Sequence, residues 1–278
     1  MRIVVVPDVH GDLAAAQRAL FAARVVGQDG SWRAPGGTVV VQLGDQVDSK
    51  SRVTRRAHVC GMGTNRDLAV VDYFDGLARQ AAAKGGEVVS LLGNHEVMNC
   101  LGMVDYADVC ARCRAARAGD FSPGGAVARN LARRPVYAVR GGVLFSHAGF
   151  LPGTVGRRDE FAGLVSRVLS GTGGPGERSA LANAMQTAET PLTTRAYSPD
   201  RPTLTREGAA LVLEETGCHV AVVGHNAHPQ GVSSYHGDTV WVLDPGMSRA
   251  LWGAPPVYLD IDSDGDRVHL RAYVAPDP

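Results

Sequence analysis

Residues 88–92 form an apolar run, and directly behind it stand Gly93, Asn94, His95 and Glu96. No other stretch constrains the fold as much. An amide, an imidazole and a carboxyl in succession are costly to bury unless something binds or bonds them. At the carboxyl end of a strand in an open α/β sheet they would face the usual ligand crevice instead. Two further segments, residues 3–10 and 39–48, have the same form, an apolar run that ends in acids or histidines. Three such strand ends point to one shared, metal-dependent site.

Taken in order, residues 3–6 are β-branched and apolar throughout, the pattern of a strand covered on both faces. Pro7 ends it, and Asp8 and His10, two apart, would point to one face of extended backbone. Asp12 is placed to cap a helix over residues 13–26. A strand over 38–43 leads to Asp45 and Asp48, and residues 49–66 read as a polar, basic loop beside the site. Asn65 or Asp67 would cap a helix reaching about Ala83, with Leu68, Val71, Phe74 and Leu77 at helical spacing. Strand, helix, strand, helix, strand argues a mostly parallel sheet with right-handed crossovers.

Beyond residue 97 the pattern changes. Residues 98–118 read as one helix, Phe121 to Gly125 break it, and a short helix spans 126–132. Residues 97–135 are therefore expected to be an insertion that caps the site. A hairpin around Gly141 and Gly142 ends in Ser146-His147-Ala148-Gly149. The segment 153–205 is poorly patterned, with a helix near 160–169 and a Gly-rich loop at 171–176. A helix over 206–216 feeds a strand over 219–223 that ends in Gly224-His225-Asn226-Ala227-His228, and a strand over 239–243 ends in Asp244-Pro245-Gly246. A hairpin of residues 257–261 and 268–274 closes the chain.

Composition narrows the function classes. The 278 residues, 45% hydrophobic, suffice for one large core or two modest domains. With 28 basic and 28 acidic residues there is no net field to draw the chain to nucleic acid or an anionic membrane. No run approaches the roughly 20 apolar residues of a membrane span, and the strand-like start leaves no room for a signal peptide. A soluble, cytoplasmic protein is expected. The five cysteines, Cys60, Cys100, Cys110, Cys113 and Cys218, are odd in number and irregular in spacing, and they read as free thiols rather than a disulfide framework.

Asp8, His10, Asp45, Asp48, Asn94, His95, His147 and His225 collect at the strand ends. Carboxylate, imidazole and amide oxygen together suit Mn, Fe or Zn rather than calcium or a thiolate site. The set is large enough for two metals about 3.5–4 Å apart that share a carboxylate, the layout used for in-line phosphoryl displacement.

Asp-x-His-Gly, Gly-Asp-x-Val-Asp, Gly-Asn-His-Glu, His-Ala-Gly and Gly-His, in this order between residues 8 and 228, resemble calcineurin-like metallophosphoesterases. The resemblance is closest to the phosphoprotein phosphatase branch, the Shewanella-like protein phosphatases in particular. It implies one two-sheet α/β/β/α sandwich over residues 1–278, with the helical cap at 97–135 and a specificity segment at 153–205. It also implies that Asp8 and His10 hold the first metal, that Asp45 bridges, and that Asn94, His147 and His225 hold the second. His95 would protonate the leaving oxygen, with Asp48 orienting it, and Glu96 would support the ligands rather than bind metal.

The chain departs from that family in two places. The branch has Arg-Gly directly after Gly-Asp-x-Val-Asp, whereas Ser49-Lys50-Ser51-Arg52 follows here, which leaves Arg52 or Lys50, neither at the matching position, as the candidate for the phosphate-binding role. Arg195 is the candidate for a second phosphate arginine, and Arg249 is either near the site or an ordinary surface residue. His228 comes one residue later than the family's Gly-His-x-His would place it, which makes it a possible additional ligand. His58, His219, His236 and His269 read as ordinary.

The implied activity is metal-dependent hydrolysis of phosphomonoesters by a metal-bridging hydroxide. The substrate would be a phosphorylated protein, at Ser/Thr or Tyr, or a small phosphoester. The alternatives are a dinucleoside-polyphosphate hydrolase or phosphodiesterase of the same superfamily, and a metal-free scaffold.

Overall fold

Ile3, Val4, Val5 and Val6 are completely buried because their strand has helices on one side and a second sheet on the other. The computed structural model describes residues 1–52 and 62–276; His58 and Cys60 lie outside the described residues. The first sheet is built from β1 (Arg2–Val6), β2 (Val39–Gln42) and β3 (Glu87–Ser90), which are parallel and connected through α1 (Leu13–Ala22) and α2 (Met62–Ala82). Four helices follow β3, interrupted by one hairpin: α3 (Asn94–Cys100), α4 (Ala111–Phe121) and α5 (Ala126–Leu131), then the hairpin β4 (Tyr137–Arg140) and β5 (Val143–Ser146), then α6 (Arg158–Ser170). The chain continues through α7 (Pro175–Ala184), α8 (Arg206–Thr216), β6 (Val220–Val223), β7 (Val232–Tyr235), β8 (Val240–Leu243), β9 (Val257–Ser263) and β10 (Val268–Val274).

The first sheet has the order β10-β9-β1-β2-β3 and the second β4-β5-β6-β8-β7. Period-two alternation divides the central strands between two cores. Ile3, Val5, Val41, Phe145, Val222 and Leu259 meet between the sheets. Val4, Val6 and Val40 turn outward onto Ala16, Leu20, Phe74 and Leu77 of α1 and α2. Leu144 and Ala221 turn outward from the second sheet onto Val212 and Leu213 of α8. The result is the expected α/β/β/α sandwich, with each fully buried Val, Leu or Phe contributing about 1.5–3 kcal/mol.

Val97, Phe121, Leu131, Val165, Leu169 and Leu181 form one further core. Helices from residues 97–135 therefore pack with helices from 153–205 rather than standing apart from them. Within this layer the single helix expected over 98–118 is two helices. α3 is closed off just before Gly102, whose φ of 84° is left-handed, and Met103 N–H turns back on the Met98 carbonyl at 2.8 Å.

Other element ends also differ from the sequence reading. α1 stops at Ala22 instead of 26 because Arg24 adopts φ 55° and Val25 N–H turns back to the Leu20 carbonyl. α7 starts within what reads as a Gly-rich loop, with Pro175 in its first turn. Asp12 caps α1 as expected, accepting from Ala15 N–H at 3.2 Å. Asp67 does not cap α2 but lies inside it, fully buried. Cys100 and Cys218 are free, Cys110 Sγ lies 3.2 Å from Cys113 Sγ, and Cys113 is disulfide-bonded, contrary to the free thiol expected there. No helix among the described residues is long and apolar enough to cross a membrane.

Candidate metal centre

Asp8 and His10 follow β1, Asp45 and Asp48 follow β2, and Asn94, His95 and Glu96 open α3 just beyond β3. His147 follows β5 and His225 follows β6. The parallel strands of both sheets thus deliver their ends to one place. The chain bends sharply to do so: His10, Asp45, Asp48 and His225 have φ of 39°, 52°, 73° and 65°. Left-handed backbone costs a non-glycine residue about 1–3 kcal/mol and persists only where the surroundings enforce it. His10 therefore does not reach the site from extended backbone, as its spacing from Asp8 suggested, but from a strained turn.

Asp45 is at the centre. Its Oδ2 lies 3.4 Å from His147 Nε2 and 3.8 Å from both His10 Nε2 and His95 Nε2. Its Oδ1 accepts the His95 backbone N–H at 3.0 Å. His10 Nδ1 is 3.0 Å from the Val47 carbonyl and His147 Nδ1 is 2.9 Å from the Leu43 carbonyl. A carbonyl only accepts, so each Nδ1 carries its ring's proton and each Nε2 presents a lone pair.

The His147 Nε2 lone pair then faces Asn94 Oδ1 at 2.9 Å and His225 Nδ1 at 3.0 Å. The Asn94 amide nitrogen is turned away toward Met98 Sδ at 3.2 Å. Asp8 Oδ1 and His225 Nε2 are buried without a hydrogen-bond partner, although Asp8 Oδ2 accepts the His225 N–H at 3.1 Å. Acceptors facing acceptors in a buried site fit a cation. Among the described residues, two groups could hold one, His10–Asp45–His95 and Asp45–His147–His225, and Asp45 belongs to both.

The charges follow from this packing. Burial opposes ionisation of Asp45, but the surrounding imidazoles of His147, His95, His10 and His225 hold its carboxyl well below the usual range. Burial lowers the pKa of His10 to about 3 and also lowers those of His147 and His225, so these rings are neutral and able to ligate. Burial raises Asp8, and its neighbours Asp244 and Asp45 raise it further. His95 moves the other way. Burial lowers it, but Asp45 and Asp48 outweigh burial and raise its pKa above the ordinary imidazole value.

His95 Nδ1 meets Asp48 Oδ2 at 2.6 Å. Glu96 accepts the backbone N–H groups of Asp45, Gln46, Val47 and Gly93 at 2.7–3.2 Å, which ties the β2 turn to the start of α3. Glu96 is thereby committed to backbone groups.

Arg52 Nη2 stands 3.4 Å from His95 Nε2, and its guanidinium lies 5.2 Å from the centre of the Tyr106 ring in the cap. Lys50 instead donates to the Asp105 carbonyl. Arg195 Nη1 donates to the His225 carbonyl at 2.8 Å. Arg249 is paired with Asp12. His228 turns from the cluster, with Nε2 on Asp200 at 2.9 Å.

Asp244, buried at the end of β8, was missed as a site residue, although the rule that found Asp8 and Asp45 applies to it. Burial raises its pKa to about 7, with Asp45 adding to the effect. Tyr106, Asn99, Asp67 and Arg117 were missed as well, and no sequence signal separates them from their neighbours.

A two-sheet sandwich that gathers these residue types at its strand ends is the fold and site of a metallophosphoesterase. The calcineurin-like phosphoesterase family matches residues 1–253, and the chain belongs to it. It is 30% identical over 105 residues to Shewanella-like protein phosphatase 2 of Arabidopsis thaliana, a match that covers 38% of this chain and 23% of the plant protein. It is 24% identical over 277 residues to Shewanella-like protein phosphatase 1 of Plasmodium berghei, covering 94% of this chain and 72% of that one. The cold-active protein-tyrosine phosphatase of a psychrophilic Shewanella species has the same fold, with a TM-score of 0.75 at 22% identity over 99% of this chain and 80% of that chain. A protein serine/threonine phosphatase from Saccharomyces cerevisiae superimposes with a TM-score of 0.56 at 12% identity, over 100% and 81%.

Proposed function

We propose that this protein is a phosphomonoesterase that holds two divalent cations, Mn, Fe or Zn, and acts on phosphorylated Ser, Thr or Tyr side chains of proteins. The observation that carries this reading is Asp45, whose Oδ2 is shared by imidazoles approaching from two sides. Asp8, His10 and Asp45 hold one cation; Asp45, Asn94, His147 and His225 hold the other. A cation pair supplies an ionised water as nucleophile and neutralises charge on the phosphate oxygens.

The chain's own residues supply the remainder. His95 is geometrically within reach of a cation beside His10 and Asp45. Its Nδ1 is committed to Asp48, however, and Asp45 and Asp48 outweigh burial to favour its protonated form. A protonated ring donates; it does not ligate. That proton goes to the leaving oxygen, which needs one when the leaving group is an alkoxide. Asp48 fixes the ring and balances its charge. Arg52, beside His95 Nε2, and Arg195, anchored on the His225 carbonyl, grip the phosphate oxygens. His228 is engaged by Asp200 and takes no part.

The cytoplasmic location expected from the sequence belongs to the same reading, as does a single-domain organisation over residues 1–278. The relatives named as protein phosphatases support the substrate class. The test is turnover of a phosphopeptide panel in parallel with diadenosine tetraphosphate and bis(p-nitrophenyl) phosphate in Mn-containing buffer. Phosphopeptide hydrolysis is expected to dominate. Turnover of the dinucleotide or the diester with none of the phosphopeptides would overturn the reading.

A further inference from the structure

Asp48 has two carboxylate oxygens, and only one of them serves His95. The other is held from the cap. Arg117 of α4 is 1% exposed, and its Nη2 donates to Asp48 Oδ1 at 3.1 Å. Its Nε donates to Asn99 Oδ1 at 2.7 Å, and its Nη1 pairs with Asp67 Oδ2 at 2.8 Å. Its guanidinium carbon lies 4.5 Å from the centre of the Phe121 ring.

Asn99 extends the arrangement. With its oxygen taken by Arg117, its amide nitrogen is left to donate to Asp48 Oδ1 at 2.9 Å and to the His95 carbonyl at 2.8 Å. Asp67 Oδ1 accepts the backbone N–H of Ser49, the residue after Asp48. Two donors thus fix Oδ1, which leaves Oδ2 directed at His95 Nδ1. Asp48, Asp67 and Arg117 have fully buried side chains.

We infer that Arg117 is a positioning residue for the reaction. It sets the rotation of the Asp48 carboxylate directly and through Asn99, and by that route the orientation of His95, so that the cap completes the proton donor. The kinetic part of this inference rests on His95 being that donor.

A purely structural role, charge neutralisation alone, requires a cation at position 117 but not a fork. The planar guanidinium here hydrogen-bonds Asn99 and Asp48 through two separate nitrogens while its third lies in ion-pair contact with Asp67, a fork that an ammonium cannot reproduce. Arg117→Ala would strand two buried carboxylates and unfold the site, so the discriminating variant is Arg117→Lys, which keeps the charge.

The first readout is the proton NMR of zinc-loaded protein. The His95 Nδ1–H, assigned by its absence in His95→Asn, gives a strongly downfield resonance in the wild type. In folded Arg117→Lys it moves upfield or broadens beyond detection. An unchanged resonance overturns the inference, whatever the enzyme turns over.

The second readout is kcat on two monoesters. For phenyl phosphate, whose leaving group needs a proton, Arg117→Lys lowers kcat at least ~10-fold, a part of the ~10²–10⁴ that a proton donor contributes, with little change in KM. For p-nitrophenyl phosphate, a good leaving group, kcat stays within about twofold; on phenyl phosphate, adding Arg117→Lys to Asp48→Asn costs nothing further because both act through one group. Equal loss on both esters, or losses that add, overturns the inference. Failure of the wild type to hydrolyse either ester counts against the proposed reaction instead, and the resonance still decides the role of Arg117.

Discussion

A Cβ on Gly93 would meet Asp45 Oδ1 at 2.1 Å and its backbone nitrogen at 2.4 Å. Gly93→Ala is therefore expected to displace the carboxylate that both cation groups share. Bound metal and activity should fall together while the far-ultraviolet circular dichroism stays native; retention of wild-type metal content would contradict this. His95→Asn should instead leave metal content intact and lower kcat by ~10²–10⁴ on an ester with a poor leaving group. The pH profile gives the sign of the same claim. A proton donor works while it is charged, and the raised pKa of His95 extends that range upward. Phenyl phosphate turnover should thus fall on an alkaline limb that lies above the ordinary imidazole value of 6.5. An unchanged limb in His95→Asn would sink the assignment. Asp8, Asp45, Asn94 and His95 were legible because polar groups directly behind buried strands have nowhere to go but a site. Asp244 obeyed the same rule and was overlooked. Arg117 was not legible: it lies in a stretch that reads only as helical, and nothing there marks it out for burial.

At the scale of elements, the helices after β3 share one core with α6 and α7. Leu169, fully buried in it, is expected to cost ~2–5 kcal/mol on replacement by Ala. Urea unfolding should remain a single transition with a lower midpoint. A separate early transition, with the sheets intact, would show that the cap folds on its own. The strands were read well because continuous β-branched runs between turn residues leave little choice. Helix ends were read less well. α1 is stopped by Arg24 in a left-handed conformation, which no residue type announces, and Gly102 divides a stretch whose helical pattern continues on both sides of it. β7, with only Val232 and Tyr235 as strand formers, is defined by its pairing with β8.

At the scale of the molecule, two sheets contribute to one site, and like charges are held close there: Asp8 lies within the field of both Asp244 and Asp45. Cations that neutralise this cluster should bind the folded chain alone. Added Mn should then raise the melting temperature in proportion to the logarithm of its concentration, worth ~2.7 kcal/mol at a hundredfold excess over Kd, and chelation should reverse the gain. The sandwich followed from the order of elements and the motif resemblance. The pairing of cap and specificity segments into one layer did not, because it depends on contacts across long sequence separations.

The central claim is that Asp45 bridges two cation sites, and the count of bound metal per chain tests it most directly. Elemental analysis of Mn-loaded protein should give two ions in the wild type, the number a shared-carboxylate site holds. One ion should remain in His10→Ala, one in His147→Ala, and none in Asp45→Ala. A single ion in the wild type, or two retained in Asp45→Ala, would contradict the account.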